Sequence, residues 1–143
     1  MRQQLAPEDI RWAIDTGIVQ AGLVGERVGL LARFCDLVVL AKPAGKIHDL
    51  DAEGIIESAL FDGHAPVLLL PADKAMKPRG KRVVVAWNQS DEAMRAIRAA
   101  LPILKSAAMV DVAVVDPPTH GPERSDPGGM LSQFLARHGV KAE

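Results

Sequence analysis

The stretch that most constrains this chain is a continuous apolar run, Val83-Val84-Val85-Ala86-Trp87. A strand apolar at every position suits a sheet covered on both faces, as parallel α/β sheets are. The run passes through a polar turn, Asn88-Gln89, to Ser90, whose hydroxyl suits a helix N-cap. Beyond it Ala93, Ile97, Ala100, Leu101 and Leu104 share one helical stripe, so the helix packs back on the sheet; Pro102 is expected to end or kink it. A buried strand feeding an amphipathic helix is half of a βαβ unit. In open parallel sheets ligands gather beyond the carboxyl ends of such strands, which places any small-molecule site near Asn88.

Strand and helix patterns alternate along the rest of the chain. Residues 10–14, Ile-Arg-Trp-Ala-Ile, alternate apolar with polar or small side chains and predict a half-buried or edge strand. The spacing of Val24, Val28, Leu31 and Ala32 predicts a helix over 22–34, which Gly22, Gly25 and Gly29 either weaken or let approach the sheet closely. Residues 37–41 are a second uninterrupted apolar strand. Asp51 is placed to cap a helix with the stripe Ala52, Ile55, Ile56, Ala59 and Leu60, and Gly63 sits where a C′ residue belongs. Residues 67–70 form the next strand; Pro66 and Pro71 flank it and favour an edge position, since proline gives no N–H to a ladder.

Residues 72–80 read as a linker, and 110–115 as a further apolar strand. Residues 116–129 carry four prolines and three glycines, the composition of a surface loop. A short helix over 130–138 rests on Leu131, Phe134 and Leu135, with Gly139 as its stop. The alternation predicts an α/β fold with a mainly parallel sheet. Burial puts 83–87 at its centre, beside 37–41 and 110–115, with 10–14 and 67–70 at the two edges.

Two features are unusual. The strands ending at Leu70 and starting near Arg82 are joined without a helix, although a parallel crossover normally needs one, so the two belong to different structural units. In addition, Leu5-Ala6, three residues, then Ile10-Arg11 matches Leu135-Ala136, three residues, then Val140-Lys141. Their separation is about the length of one domain, which is how one period of a tandem repeat looks.

Bulk properties exclude several classes. Lys and Arg total 17 against 18 Asp and Glu, scattered along the chain, so there is no electrostatic footprint for nucleic acid. With no Tyr and few aromatics, base-stacking surfaces are not expected either. No apolar run approaches the roughly 20 residues of a membrane span. No signal-peptide pattern opens the sequence, and the expected location is the cytoplasm. The lone Cys35 excludes an internal disulfide framework and reads as a partly buried, inert thiol rather than a redox group.

Three blocks of residues resemble the universal stress protein family. Arg82-Val-Val-Val-Ala-Trp-Asn-Gln-Ser90, with Ala93 and Ala96, is similar to that family's first strand, Asp-Gly-Ser turn and first helix. Leu31-Ala-Arg-Phe-Cys-Asp-Leu-Val-Val39 resembles its "A-x-x-x-A-D-L-I-V-V" fourth strand, and residues 58–70, with Ala65-Pro66-Val67-Leu68, its last helix and final strand. The resemblance implies a five-stranded, mainly parallel open sheet with helices on both faces, in the sheet order 3-2-1-4-5. The chain order is permuted: residues 1–71 resemble the second half of one repeat, 72–81 link, and 82–143 resemble the first half of the next. One domain spanning 1–143 then forms as a circular permutant, or two chains exchange halves in a swapped dimer.

ATP-binding members carry a G-x2-G-x9-G-(S/T) loop after the fourth strand, whose backbone N–H groups cradle phosphates. In residues 41–54 that spacing is missing, although Gly45 and Gly54 remain. Asp49, Asp51 and Glu53 crowd the helix start, where they complement its dipole and repel a triphosphate; Lys42 and Lys46 only soften this. If a nucleotide does bind, the resemblance assigns it Ala86, Asn88 and Val114 together with Gly45 and Gly54, Asn88 replacing the family's turn aspartate. The acidic trio with His48 is better read as capping and a solvated face than as a Mg²⁺ or Mn²⁺ site, and no His pair has ligand spacing.

There is no nucleophile elbow, CxxC or HExxH. Ser90 beside Asp91 reads as a cap rather than a nucleophile, and Trp87 as a core or rim aromatic rather than an adenine platform. The expectation is a non-catalytic stress-response or interaction module without bound ATP, the rival being an ATP-binding protein with slow ATPase activity. It pairs as a homodimer through the apolar edge at Val67–Leu70, with or without exchanged halves. A third reading is a truncated fragment of a tandem protein.

Overall fold

The computed structural model describes residues 10–42, 50–71, 82–115, 117 and 125–143. The fold is mixed α/β with open parallel sheets. The chain divides into two units: among the described residues one holds 10–38 and 50–67, and the other holds 39–42, 68–71 and the chain from 82 on, so the division runs through the first two strands.

A 3-10 turn, Ala21–Leu23, leads into α1 (Val24–Ala32) in the first unit, and β1 (Val38–Ala41) follows, all but Val38 in the second. Helix α2 (Leu50–Glu57) widens into a π turn over Ser58–Asp62 before β2 (Val67–Leu70). Strands β1 and β2 pair with each other. The Val38 N–H donates to the Pro66 carbonyl (2.9 Å) and the Lys42 N–H to the Leu70 carbonyl (2.6 Å), an equal offset at both ends that marks a parallel register. The core here is thin: Ala32, Ala59 and Ala65, with Val28, Val38 and Val67 packed on them.

The α1 glycines act differently from expectation. A Cβ on Gly29 would stand 2.9 Å from Asp62 Cβ and 3.0 Å from the Ser58 carbonyl oxygen, so the close approach is to the π turn, not to a sheet; Gly22 faces open space. Gly63 ends the helix, but its φ is −84° and no left-handed turn is made there. It is buried against Ala32, and the left-handed residue is His64 (φ 53°). Asp51, expected to cap α2, lies inside it.

The second unit also holds β3 (Arg82–Trp87), α3 (Asp91–Ser106), β4 (Met109–Val114) and α4 (Gly129–Arg137). Strands β3 and β4 are parallel, from Arg82 opposite Met109 to Trp87 opposite Val114. Val85 and Val110 from the sheet, Ile97 and Leu104 from α3, and Leu131 and Leu135 from α4 form one core. Both helices therefore cover the same face. On the other face Val84 is 66% exposed and Ala86 is exposed too.

This corrects the expectation of a strand covered on both sides. The side chains are uniformly apolar, yet burial alternates along β3 because only one face carries helices. Helix α3 also runs on through Pro102 to Ser106, with Leu104 buried beyond the proline; anchoring Leu104 in the core holds the last turn despite the lost backbone bond. Gly139 stops α4 as expected. It is left-handed (φ 77°), its N–H donates to the Ala136 carbonyl and the Val140 N–H to the Leu135 carbonyl, the paired bonds of a Schellman ending.

After that turn the chain runs beside β4. The Val110 N–H donates to the Lys141 carbonyl (2.8 Å), the Glu143 N–H to the Val110 carbonyl (3.0 Å) and the Val112 N–H to the Glu143 carbonyl (2.7 Å), with Val110 opposite Ala142 in parallel.

The predicted single five-stranded sheet is not what the described residues form. Residues 83–87 pair with β4, and residues 37–41 pair with β2 rather than with 83–87. Residues 10–14 are irregular, because a strand exists only against a partner ladder, and residues 141–143 hold the outer edge of β4. Cys35 is exposed rather than partly buried, its Sγ lying 3.5 Å from the Leu31 carbonyl. Among the described residues no helix is long and apolar enough to cross a membrane.

Candidate functional site

The carboxyl ends of β3 and β4 lie side by side, and the turn after β3 is tightly built. Gln89 adopts a left-handed backbone (φ 64°), which reverses the chain. The Asn88 Oδ1 accepts from the Ser90 N–H (3.1 Å), and the Ser90 Oγ accepts from the Ala93 N–H (3.1 Å). The first is an Asx turn and the second an N-cap, each serving a backbone amide that the helix itself leaves without a partner. Asp91 and Glu92 occupy the first turn of α3, where carboxylates complement the helix dipole.

A second segment closes on this turn. The Trp87 Nε1–H donates to the Pro127 carbonyl at 3.1 Å, and the Gln89 Nε2 reaches the same oxygen at 3.5 Å. Gly128 lies close enough to β4 that an added Cβ would stand 3.3 Å from Val112 Cγ1. Trp87 is thus a rim aromatic whose indole N–H pins the segment ahead of α4 across the strand ends. Its sequence signal was the apolar run ending in an aromatic with a polar handle. Nothing in the sequence pointed to Pro127.

The sequence-predicted nucleotide residues are brought together only in part. Trp87 and Val114 are register partners and Asn88 follows directly, so Asn88 and Val114 share one end of the sheet. Ala86 points to the exposed face. Gly54 is the fifth residue of α2, so its N–H turns back to the Leu50 carbonyl in the helical pattern rather than toward a phosphate. Gly45, His48 and Asp49 lie outside the described residues, as does the side chain of Asp51; Glu53 is exposed. Chemically, the arrangement offers local amide satisfaction and two carboxylates at the helix start, an environment that disfavours polyphosphate. Among the described residues no cluster of three or more His, Cys, Asp or Glu is arranged to hold a metal ion.

The strongest electrostatic feature lies at the other end of β3. The Arg82 Nε donates to Asp111 Oδ2 (3.0 Å), and its Nη2 donates to both Asp111 Oδ1 and Glu143 Oε1, the latter at 3.0 Å. The hydrogen bond from Arg82 holds the Asp111 carboxyl below its usual range, and Asp111 in turn raises Arg82. A depressed carboxylate contributes stability that is complete above the unfolded value, near pH ~4, and lost as pH falls through the lower folded value. Amide protection at Val110, Val112 and Glu143, read by hydrogen exchange, is therefore expected to weaken in acid, and Asp111→Asn to flatten that dependence. Protection unchanged into the range where carboxylates are fully protonated would exclude the clamp.

Compared with known protein families, curated proteins and solved structures, the chain finds no match.

Proposed function

We propose that the chain is a universal-stress-protein-like stress-response or interaction module of the cytoplasm, non-catalytic and without bound ATP, whose five-stranded sheet is completed by a second copy. One observation carries the reading: β3 and β4 have both helices on one face, while on the other Val84 is 66% exposed and Ala86 exposed beside the Arg82–Asp111 ion pair.

Right-handed crossovers explain why that arrangement calls for a partner. Connections that carry a parallel sheet steadily in one direction lay their helices on one face, and reversing direction moves the next helices to the opposite face. The run β3–α3–β4–α4 moves one way. A β1–α2–β2 unit added at the free side of β3 moves the other way and lays its helices over Val84 and Ala86. The strand order becomes 141–143, β4, β3, β1, β2, which is the order 3-2-1-4-5 of the family the sequence resembles. The need for completion is physical as well: two-stranded sheets are marginal in water, and among the described residues the buried apolar cluster of the first unit is built on three alanines, Ala32, Ala59 and Ala65.

Exchange between two chains is favoured over closure within one. Eleven residues separate Leu70 from Arg82. They span at most about 35–40 Å, with little slack for a path from an outer strand to the opposite end of a central one. The completed domains then pair through β2, whose Leu69 is 41% exposed.

Light scattering tests the assembly: at tens of micromolar the expected mass is twice the 15.3 kDa of the chain, weakened by Leu69→Lys. A monomer unaffected by that change would refute it. Calorimetry with Mg-ATP tests the ligand. No binding heat is expected, because Asn88 and the Gly54 amide are committed to local bonds and Asp91 and Glu92 flank the helix start. A low-micromolar dissociation constant would return the ATP-binding, slow-ATPase reading.

A further inference from the structure

We infer that residues 10–15 of a second copy add to the outer edge of β4 as a parallel strand, in the register that residues 141–143 hold; the choice of partner rests on the half-exchange reading, the register on β4 itself. That edge is already a strand acceptor. Lys141 and Glu143 take the Val110 and Val112 amides, and Ala142 stands opposite Val110.

The chain carries a second segment of the same pattern. Leu5-Ala6, three residues and Ile10-Arg11 repeat Leu135-Ala136, three residues and Val140-Lys141. The repeat puts Ile10 in the place of Val140, Arg11 of Lys141, Trp12 of Ala142 and Ala13 of Glu143. Side chains alternate across a strand. In the occupied register Val140 is buried and Ala142 half-buried, whereas Lys141 and Glu143 are exposed. Ile10, Trp12 and Ile14 therefore fall on the core side, each bulkier than the residue it replaces where there is one.

In the single chain those three side chains are 56, 39 and 41% exposed. Docking them removes that apolar surface from water. The charges agree. Glu143 is the neighbour of Asp111 across the ladder, and the two carboxylates are held together by Arg82. With Ala13 in that place Arg82 gives up its bond to Glu143 and keeps those to Asp111, and the like-charge neighbour of Asp111 leaves with it. The Val110 and Val112 amides then donate to the Arg11 and Ala13 carbonyls, and the register continues to bring the Asp15 carbonyl to the Val114 amide. One edge thus has two competing strands, the chain's own 141–143 and the partner's 10–15, and their exchange couples this edge to assembly.

The chain has two tryptophans, so Trp87→Phe leaves Trp12 as the sole reporter. Emission and acrylamide quenching are followed across a dilution series whose mass is read in parallel by light scattering. A blue shift and reduced quenching of Trp12 that appear with the dimer, and are lost in Ala13→Pro, are the expected result. Ala13→Pro removes the amide that would bond Val110 and touches only an irregular segment. A dimer whose Trp12 stays solvent-exposed overturns this inference and leaves half exchange standing. A monomer at all concentrations overturns both. Shielding of Trp12 that is independent of concentration overturns the choice of a second copy. Should Trp87→Phe misfold, Ala13 amide exchange in the unaltered chain reads the same contest: protection in the dimer supports the added strand, and free exchange there refutes it.

Discussion

Gly63→Ala is expected to destabilise the protein by about 1–3 kcal/mol, the usual cost of forcing a methyl into filled space. The new Cβ would overlap Ala32 Cβ and stand 2.7 Å from the Ala59 carbonyl oxygen and 3.1 Å from that of Gly29. Two of these three are backbone atoms, so relief requires α1 and the π turn to separate rather than a side chain to rotate. Their packing forms most of what the first unit buries, and separation would open the contact between Ala32 and Ala59. Gly54→Ala supplies the control. A Cβ there meets nothing within 4 Å, and in a helix the change should stabilise by up to about 1 kcal/mol. Urea midpoints moving in opposite directions for the two variants are the expected result. Equal midpoints would show that Gly63 is not a packing residue.

Leu135→Ala should cost more, about 2–5 kcal/mol, as truncations of fully buried leucines do. Leu135 is 0% exposed and sits in the core with Val110, Leu131 and Val140. Its carbonyl also accepts the Val140 N–H that turns the chain toward the β4 edge. The cavity would therefore loosen α4 and the 141–143 segment together. Met130, on the same helix and 67% exposed, should tolerate alanine within about half a kcal/mol. Thermal unfolding followed by circular dichroism separates the two. A small effect at Leu135 would mean that α4 is not seated on this core.

Local chemistry was legible in the sequence wherever one residue decides it. Ser90 caps α3, Gly139 ends α4, and β3 leads through a polar turn into an amphipathic helix, each because neighbouring backbone amides impose the same need in any context. What could not be read was which face of a strand is covered. Val84 and Val85 are identical side chains, 66% and 8% exposed, and only the positions of α3 and α4 distinguish them. Residues 10–14 have a strand pattern but no ladder within the described chain, because pairing depends on which edge is open, not on composition. The α1 glycines signalled close approach without naming the surface approached. At the candidate site Asn88 and Val114 lie at one end of the sheet, whereas Gly54 lies within the helical run of α2, a placement that depends on where that helix begins and that its sequence spacing does not fix.

The central claim is that β3 becomes an inner strand when β1 of a second copy joins its free side. Residue-resolved hydrogen exchange across Arg82–Trp87 tests it most directly, at concentrations where the dimer is expected. In a strand paired on one side only, every second amide points to solvent; in an inner strand each is bonded. Uniform protection along β3 that collapses to alternate amides on dilution is the expected result. Alternating protection at every concentration would leave β3 with β4 as its only partner and contradict the account.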